Sequence, residues 1–163
     1  MISGDHFSSD VLEFLVLVEK FKVRYMIIGG EAVIYYGFPR LTGDMGIFYD
    51  SNAENIDHLY EALLEFWQGD IPGLTNKNEL GDSDAVFQFG VPPNRIDLLS
   101  DISAVDFNDA WMKKRIENIK IHDKLIKIFF IGLDELIENK KHVARPKDQE
   151  DLKYLVVRKK KVQ

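Results

Sequence analysis

Two aspartates stand where they could share a divalent cation. Asp44 directly precedes the apolar stretch 45–49, and Asp97 lies inside the apolar stretch 95–99. An unpaired charge is costly in a buried strand, so Asp97 must reach water or be held by partners. Carboxylate oxygens are ligands that Mg²⁺ prefers, and a bound Mg²⁺ in turn binds the phosphates of a nucleotide. On neighbouring strands, the two acids would make a Mg²⁺ and triphosphate site.

A glycine pair precedes these acids in the chain. The apolar run 25–28 ends at Gly29 and Gly30, and a short helical pattern follows. Glycine permits unusual backbone angles and close approach of a ligand, and the free N–H groups at a helix start favour an anion. Arg40 and Thr42 then follow at short spacing before the first acid. A plain turn is the alternative for the glycine pair alone, whereas the combination favours phosphate binding.

A lysine and an aspartate near the C terminus both lie along apolar helix faces. Lys140 is on the apolar face of the predicted helix 133–142, and Asp148 is on the apolar face of a helix that begins at Pro146. Two interpretations stay open. In one, the lysine and the aspartate form a structural pair. In the other, Lys140 contacts a phosphate and Asp148 orients it.

Hydrophobic periodicity predicts strands interleaved with helices. Apolar residues at helical spacing mark helices at 7–21, 31–36, 52–68, 106–113, 133–142 and from 146 onward. Apolar runs mark strands at 25–29, 45–49, 85–89, 95–99, 116–121 and 125–131. Asp10 with Glu13 is the predicted capping pair of the first helix, and residues 69–84 read as a long polar loop. We predict an α/β fold, a mixed sheet flanked by helices, in one domain over 1–163 with C-terminal helices at 132–158.

Composition is that of an ordinary globular protein. Hydrophobic residues make up 45% of the 163 residues and charged residues 29%, which is too apolar for disorder. The chain has no cysteine, so disulfides and thiolate metal sites are excluded. No apolar run approaches the roughly 20 residues that cross a bilayer, and the first residues lack the pattern of a signal peptide. We therefore expect a cytoplasmic protein with no membrane partner.

Charge is distributed unevenly along the chain. Residues 1–112 carry 6 basic and 19 acidic side chains, whereas residues 113–163 carry 15 basic and 8 acidic ones. The basic C-terminal third predicts a face for nucleic acid or a triphosphate. A solvated helix face that ends in the basic run 158–161 is the alternative.

The order of these segments resembles a known group of enzymes. Gly-Gly-x-Ala begins at Gly29, Gly-x-x-Arg-x-Thr-x-Asp covers 37–44, and Ile-Asp-Leu-Leu begins at Ile96. The closing segments Leu-Ile-Glu-Asn-Lys and Arg-Pro-Lys-Asp-Gln-Glu-Asp-Leu, at 136–140 and 145–152, also match the group. Together they resemble the minimal nucleotidyltransferases of the polymerase-β superfamily, which include toxin-like abortive-infection members.

The resemblance implies a polymerase-β-like fold and a Mg²⁺-dependent enzyme. Such an enzyme transfers a nucleoside monophosphate from an NTP to a hydroxyl of RNA, a protein or a small molecule, and the toxin-like branch suggests tRNA or a protein partner. The implied catalytic and metal-binding residues are Asp44 and Asp97, with Asp97 assisting the attacking hydroxyl. The implied nucleotide-binding residues are Gly29, Gly30, Arg40, Thr42, Lys140 and Asp148.

One position departs from the family pattern. Family members carry a second acid two residues after the first, on the same strand face, and here that residue is Gly46. Asp50 shares the face but lies roughly 20 Å from Asp44 along a strand, and Glu31 is another candidate to replace the missing acid. The departure favours an alternative function, a catalytically impaired nucleotide- or partner-binding module such as a toxin–antitoxin component. A fold that binds no ligand is the third alternative.

Overall fold

The chain folds as strands interleaved with helices, and the computed structural model describes residues 2–162. The strands are β1 (Tyr25–Ile28), β2 (Asp44–Tyr49), β3 (Val86–Phe89), β4 (Arg95–Leu99), β5 (Arg115–Ile121) and β6 (Lys124–Phe130). The α-helices are α1 (Ser9–Lys20), α2 (Gly29–Tyr35), α3 (Ala53–Phe66), α4 (Phe107–Met112), α5 (Leu133–Val143) and α6 (Pro146–Val162). Short 3₁₀ turns lie at Gly4–His6 and Lys77–Gly81.

Within residues 2–162 six strands form one mixed sheet in the order β3-β4-β2-β1-β6-β5. The β2–β4 and β1–β6 pairs are parallel, and the other three pairs are antiparallel. Helix α1 contacts β6, and helix α2 contacts both β1 and β2. The predicted class, a mixed sheet flanked by helices, is confirmed.

The centre of the sheet is built from the most apolar segments. All four residues of β1 are buried, and so are five of the six residues of β2. Strands with both faces covered read as continuous apolar runs, which is why the sequence pattern identified them. The order β4-β2-β1 makes the three strands neighbours, as predicted, and brings the chemistry-bearing residues to one region of the sheet.

The cap of helix α1 differs from the prediction. Ser8, not the pair Asp10 and Glu13, is the N-cap, and its Oγ accepts a hydrogen bond from the Val11 amide at 3.3 Å. A capping side chain must precede the helix on extended backbone, which Ser8 provides. Asp10 lies inside the first turn instead, where its charge suits the helix dipole.

The predicted loop 69–84 is partly ordered by its own contacts. It contains the 3₁₀ turn Lys77–Gly81, which begins with a capping box formed by Asn76 and Glu79. Leu80 is fully buried, and the Tyr49 hydroxyl donates a 2.7 Å hydrogen bond to the Leu80 carbonyl oxygen. These contacts fix the middle of the loop to β2.

The two C-terminal helices are joined by a tight connection. Helix α5 ends at Val143, the C-cap residue Ala144 has a left-handed φ of 54°, and Pro146 begins α6. Proline suits a first helical position because its missing N–H would be unpaired there. Across residues 2–162, no helix combines the length and apolar character that a membrane crossing requires.

Candidate active site

The two predicted acids lie side by side on the sheet. Asp44 begins β2 and Asp97 is the central residue of β4. In the parallel β2–β4 ladder, Asp44 pairs with Arg95 and Gly46 with Asp97, so Asp44 and Asp97 share one face. The Arg95 guanidinium lies 3.5 Å from the Asp44 carboxylate and 2.9 Å from the Asp97 carboxylate, so the two carboxyl groups are adjacent. The predicted proximity is confirmed.

Arg95 contacts both acids and offsets part of their negative charge. Its Nε lies 2.9 Å from Asp97 Oδ1, and its Nη2 lies 3.1 Å from Asp97 Oδ2 and 3.5 Å from Asp44 Oδ2. Burial raises the pKa of Asp97, the nearby Asp44 raises it further, and the bonds from Arg95 act against both. The carboxyl of Asp97 is therefore a stronger base than an ordinary aspartate.

The loop before Asp44 packs onto the glycine pair. A Cβ at Gly30 would lie 2.6 Å from Thr42 Oγ1 and 3.0 Å from Arg40 Nη2, so only glycine leaves room for this loop. Gly29 has a φ of +67°, a left-handed value that favours glycine. Close packing of the loop against residue 30 thus explains why this residue is glycine. The Thr42 hydroxyl donates to the Asp44 backbone oxygen at 3.2 Å and fixes the loop to the start of β2.

A buried ion network lies beside the acids. The Lys140 ammonium is 2.8 Å from Asp148 Oδ1 and 3.0 Å from Asp151 Oδ2, and all three side chains are at most 3% exposed. Arg40 Nη2 donates to Asp151 Oδ2 at 3.1 Å. Its Nε is 2.9 Å from Asp151 Oδ1, which is the distance of an ion pair without the angle of a hydrogen bond. The network joins α5, α6 and the loop that carries Arg40.

Asp148 is a structural partner. It accepts bonds from Lys140 and from Arg145, whose Nε lies 2.7 Å from Asp148 Oδ2. Burial raises the pKa of Asp148, but the bonds from Arg145 and Lys140 outweigh burial and lower it to about 2. The side chain is fully buried, so it orients Lys140 and Arg145 and does not reach a ligand. Of the two interpretations of Lys140 and Asp148, the structural pairing is present.

Two adjoining depressions flank the acids and share Gly29, Asp44, Asp97, Lys140 and Arg145. The first, about 410 Å³, is lined on its other sides by polar and basic residues, among them Arg40, Thr42, Arg95 and Lys147. The second, about 400 Å³, is lined by less polar residues, among them Leu99, Ile102, Asn139 and Val143. The acids therefore lie between the first depression, which we call the cationic depression, and the second, more apolar depression.

Gly46 lies in the floor of the second depression. It pairs with Asp97 on one side and with Ile28 on the other, in regular strand pairing. A Cβ at Gly46 would lie 3.0 Å from Ile28 Cγ1, so the isoleucine fills much of the space that a side chain would take. Gly46 continues both ladders without a positive φ, so no bulge accounts for the glycine.

The other two candidate acids are engaged elsewhere. Glu31 Oε2 lies 2.8 Å from His6 Nε2, and Asp50 Oδ2 lies 2.8 Å from Arg24 Nη1. Neither residue lines the two depressions. Neither of these two candidates therefore replaces the acid that is missing at Gly46.

The oxygen donors present fit one Mg²⁺ ion. Mg²⁺ commonly binds through one or two carboxylates together with phosphates of its substrate, and Asp44 and Asp97 supply two adjacent carboxylates. A pair of bridged ions needs more carboxylates than these. Within residues 2–162, no cluster of three or more acidic, histidine or cysteine side chains is placed to hold a metal.

Sequence reasoning missed three residues of the site. Arg95 is two residues from Asp97, and the period of two along a strand places both side chains on one face. Asp151 is three residues from Asp148, which places both on one face of α6. Arg145 directly precedes the helix that carries both acids. These spacings were the available signals.

A larger cleft of about 640 Å³ lies away from the predicted residues. Its lining includes Tyr35, Lys113, Arg115, Glu135 and Lys159, and none of the residues predicted to bind metal or nucleotide. Tyr35 stacks on Phe130 there and donates a 2.6 Å hydrogen bond to Glu117. The smaller paired depressions are the candidate site, because the adjacent carboxylates lie there.

No protein-family model matches the chain. No curated protein matches it either.

Proposed function

We propose that this chain is a nucleotidyltransferase-like protein with a polymerase-β-like fold, which binds an NTP together with Mg²⁺. The transfer would carry a nucleoside monophosphate to a hydroxyl of RNA, a protein or a small molecule. One observation carries the proposal: Asp44 and Asp97 lie side by side at a pocket lined by Arg40, Arg95 and Lys147. Carboxylates next to a cationic pocket suit a metal-bound polyphosphate.

The basic side chains would hold the phosphates. Arg40, Arg95, Arg145 and Lys147 line the first depression, and guanidinium groups bind phosphate through paired hydrogen bonds. Mg²⁺ held by Asp44 and Asp97 would supply positive charge next to the α-phosphate. The more apolar second depression would then receive an uncharged part of the nucleotide or of the acceptor.

Asp97 would take the proton of the attacking hydroxyl. The resemblance assigns this role to Asp97, and a positioned carboxylate can act as a general base. The hydroxyl oxygen forms a bond to the α-phosphorus, and the bond from that phosphorus to the bridging oxygen of pyrophosphate breaks. The hydroxyl proton passes to Asp97, and pyrophosphate leaves with the bonding electrons.

A second function is favoured by the surroundings of Gly46. The residue supplies no carboxylate, and Ile28 fills the adjacent space. A chain that binds NTP without transferring it would be a nucleotide- or partner-binding module, for example one component of a toxin–antitoxin pair. Its site would keep the cationic depression and bind NTP, but transfer would be slow. Positioning and charge stabilisation supply nearly all of phosphoryl-transfer catalysis, and the missing carboxylate would weaken both.

One experiment separates the two functions. The purified chain is incubated with each α-labelled NTP, Mg²⁺ and an acceptor pool of RNA and protein, and pyrophosphate release and label transfer are measured. Binding of each NTP with Mg²⁺ is measured separately by calorimetry. Transfer that an Asp97→Asn variant lacks supports the enzyme. Bound NTP without transfer supports the binding module. If the chain neither binds nor transfers any NTP, the enzyme and the binding module are both contradicted.

A further inference from the structure

Arg95 forms its ion pairs with the two acids of the candidate site. Both of its contacting nitrogens lie on the carboxylates of Asp97 and Asp44, at 2.9–3.5 Å. Among residues 2–162 it is the only cationic side chain within 4.0 Å of either carboxylate. Its side chain is 30% exposed and lines the cationic depression. The guanidinium therefore lies where a divalent cation would approach the pair.

Three other cations of the site form their ion pairs with different acids. Arg40 is held by Asp151, Lys140 by Asp148 and Asp151, and Arg145 by Asp148. These contacts belong to the network of α5 and α6. Arg95 belongs to β4 and is independent of that network, so it can leave its carboxylates without disturbing the helices.

A guanidinium and a divalent cation compete for these oxygens. Like charges a few ångströms apart repel strongly near a protein surface, where the effective dielectric constant is about 20. The carboxylates also repel each other when neither cation is present, since they are close enough for one guanidinium to contact both. A cation at this position relieves that repulsion, and a guanidinium and a divalent cation cannot both occupy it.

We infer that Arg95 is an internal counter-ion for Asp44 and Asp97 that an incoming Mg²⁺–NTP displaces, and that the released guanidinium then binds the phosphates. The inference rests on the proposed function and assigns Arg95 two successive partners. The side chain already lines the cationic depression, so it is placed next to the space that the phosphates would occupy. Its planar fork matches a phosphate as well as a carboxylate.

Such an exchange gives Arg95 opposite effects on two ligands. Metal alone must compete with the guanidinium, so Arg95 lowers the affinity for a free divalent cation. Nucleotide with metal accepts hydrogen bonds from the released guanidinium, so Arg95 raises the affinity for the complex. A residue with a purely structural role would change both affinities in the same direction, through loss of the folded state.

The test measures both affinities in three proteins: the wild type, Arg95→Gln and Arg40→Gln. Arg40→Gln is the matched control, because it removes one charge from the same depression but its partner is Asp151. Free Mn²⁺ is titrated without nucleotide and followed by electron paramagnetic resonance. ATP is then titrated by calorimetry at saturating Mg²⁺, and the melting temperature of each protein is recorded.

We expect Arg95→Gln to bind Mn²⁺ on the order of tenfold more tightly than the wild type, since the competing charge is gone. Arg40→Gln should bind Mn²⁺ within about twofold of the wild type, because its charge is paired with another carboxylate. Both variants should bind Mg²⁺–ATP on the order of tenfold more weakly, since each lacks one charge-assisted hydrogen bond to phosphate.

Two outcomes would overturn the inference. Equal Mn²⁺ affinity in Arg95→Gln and Arg40→Gln removes the counter-ion role, and unchanged ATP affinity in Arg95→Gln removes the phosphate role.

If Arg95→Gln does not fold, Arg95→Lys replaces it, with tighter Mn²⁺ binding again expected because a point charge cannot hold both carboxylates. The Mn²⁺ measurement contains no nucleotide. A wild type that binds no NTP would therefore contradict the proposed function, whereas the Mn²⁺ result alone decides the counter-ion.

Discussion

Gly46 lies directly opposite Asp97 in the β2–β4 ladder. On its other side it pairs with Ile28, whose Cγ1 is 3.0 Å from the position of a Cβ at Gly46. A side chain at residue 46 would project onto the face that carries Asp44 and Asp97, because side chains alternate along a strand. The residue at position 46, which lies between Ile28 and Asp97, therefore sets the number of carboxylates on this face.

A Gly46→Asp substitution should raise divalent-cation affinity and lower stability. The new carboxylate lies beside Asp97, and Ile28 must move by a few tenths of an ångström to admit it. Overpacking of this kind costs about 1–3 kcal/mol. We expect tighter Mn²⁺ binding by spectroscopic titration together with a lower free energy of unfolding in urea.

A matched control and a second substitution separate charge from size. Gly46→Asn should destabilise the chain to a similar extent without tightening Mn²⁺ binding. Ile28→Ala should cost less in the Gly46→Asp background than in the wild type, because the methylene that crowds residue 46 is gone. A folded Gly46→Asp variant with unchanged Mn²⁺ affinity would contradict the proposal that residue 46 lacks a metal ligand.

Replacing Lys140 should destabilise the fold strongly. Lys140 is 3% exposed and pairs with Asp148 and Asp151, both nearly inaccessible. Removal of one member of a buried ion network leaves uncompensated charge and costs about 3–5 kcal/mol. We expect Lys140→Met to lower the free energy of unfolding by this amount. Lys141→Met is the control, since its exposed pair with Glu138 contributes at most about 1 kcal/mol. Equal stability of the two variants would show that the network is not formed in solution.

The acid limb of the stability curve should depend on Asp148. Its pKa is about 2 in the folded chain against an ordinary value of 3.8, so the unfolded chain binds protons first as the pH falls. The stabilisation is fully present above about pH 4 and is lost as the pH falls through about 2. We expect Asp148→Asn to be less stable than the wild type by about 2 kcal/mol at pH 6. The difference should shrink steadily between pH 4 and pH 2 in urea titrations, and a difference independent of pH would contradict it.

The periodicity of the sequence was sufficient for the central strands and most helices, because buried β1 and β2 leave continuous apolar runs and α1 and α3 leave helical spacing. The position of Asp44 beside Asp97 followed from placing their strands together. Contacts between distant segments were not predictable in this way. Arg40 and Asp151 are 111 residues apart in the chain, and no local pattern joins them. The contact of Ile28 with Gly46 likewise depends on strand register.

The basic end of α6 should contribute to RNA affinity through its charge. Arg158, Lys160 and Lys161 are exposed, whereas Lys159 pairs with Asp134 at 2.8 Å and is left unchanged. Glutamine at the three exposed positions should weaken binding of single-stranded RNA. It should also reduce the slope of log affinity against log salt by about 0.7 for each phosphate that is no longer neutralised. Glutamine at Lys120, Lys124 and Lys127 removes the same charge from the β5–β6 hairpin and is the control. Equal slopes in both variants would assign the basic run to solvated surface.

The most direct measurement is the Mg²⁺ dependence of NTP affinity, determined by calorimetry for the wild type and for Asp44→Asn. A site formed by Asp44, Asp97 and the cationic depression should bind at least one NTP about tenfold more tightly with Mg²⁺ than without it, because the metal joins carboxylate to phosphate. Asp44→Asn should abolish most of this difference while it keeps its melting temperature within a few degrees. Absence of binding with every NTP, or an affinity that neither Mg²⁺ nor Asp44→Asn changes, would contradict the proposed site.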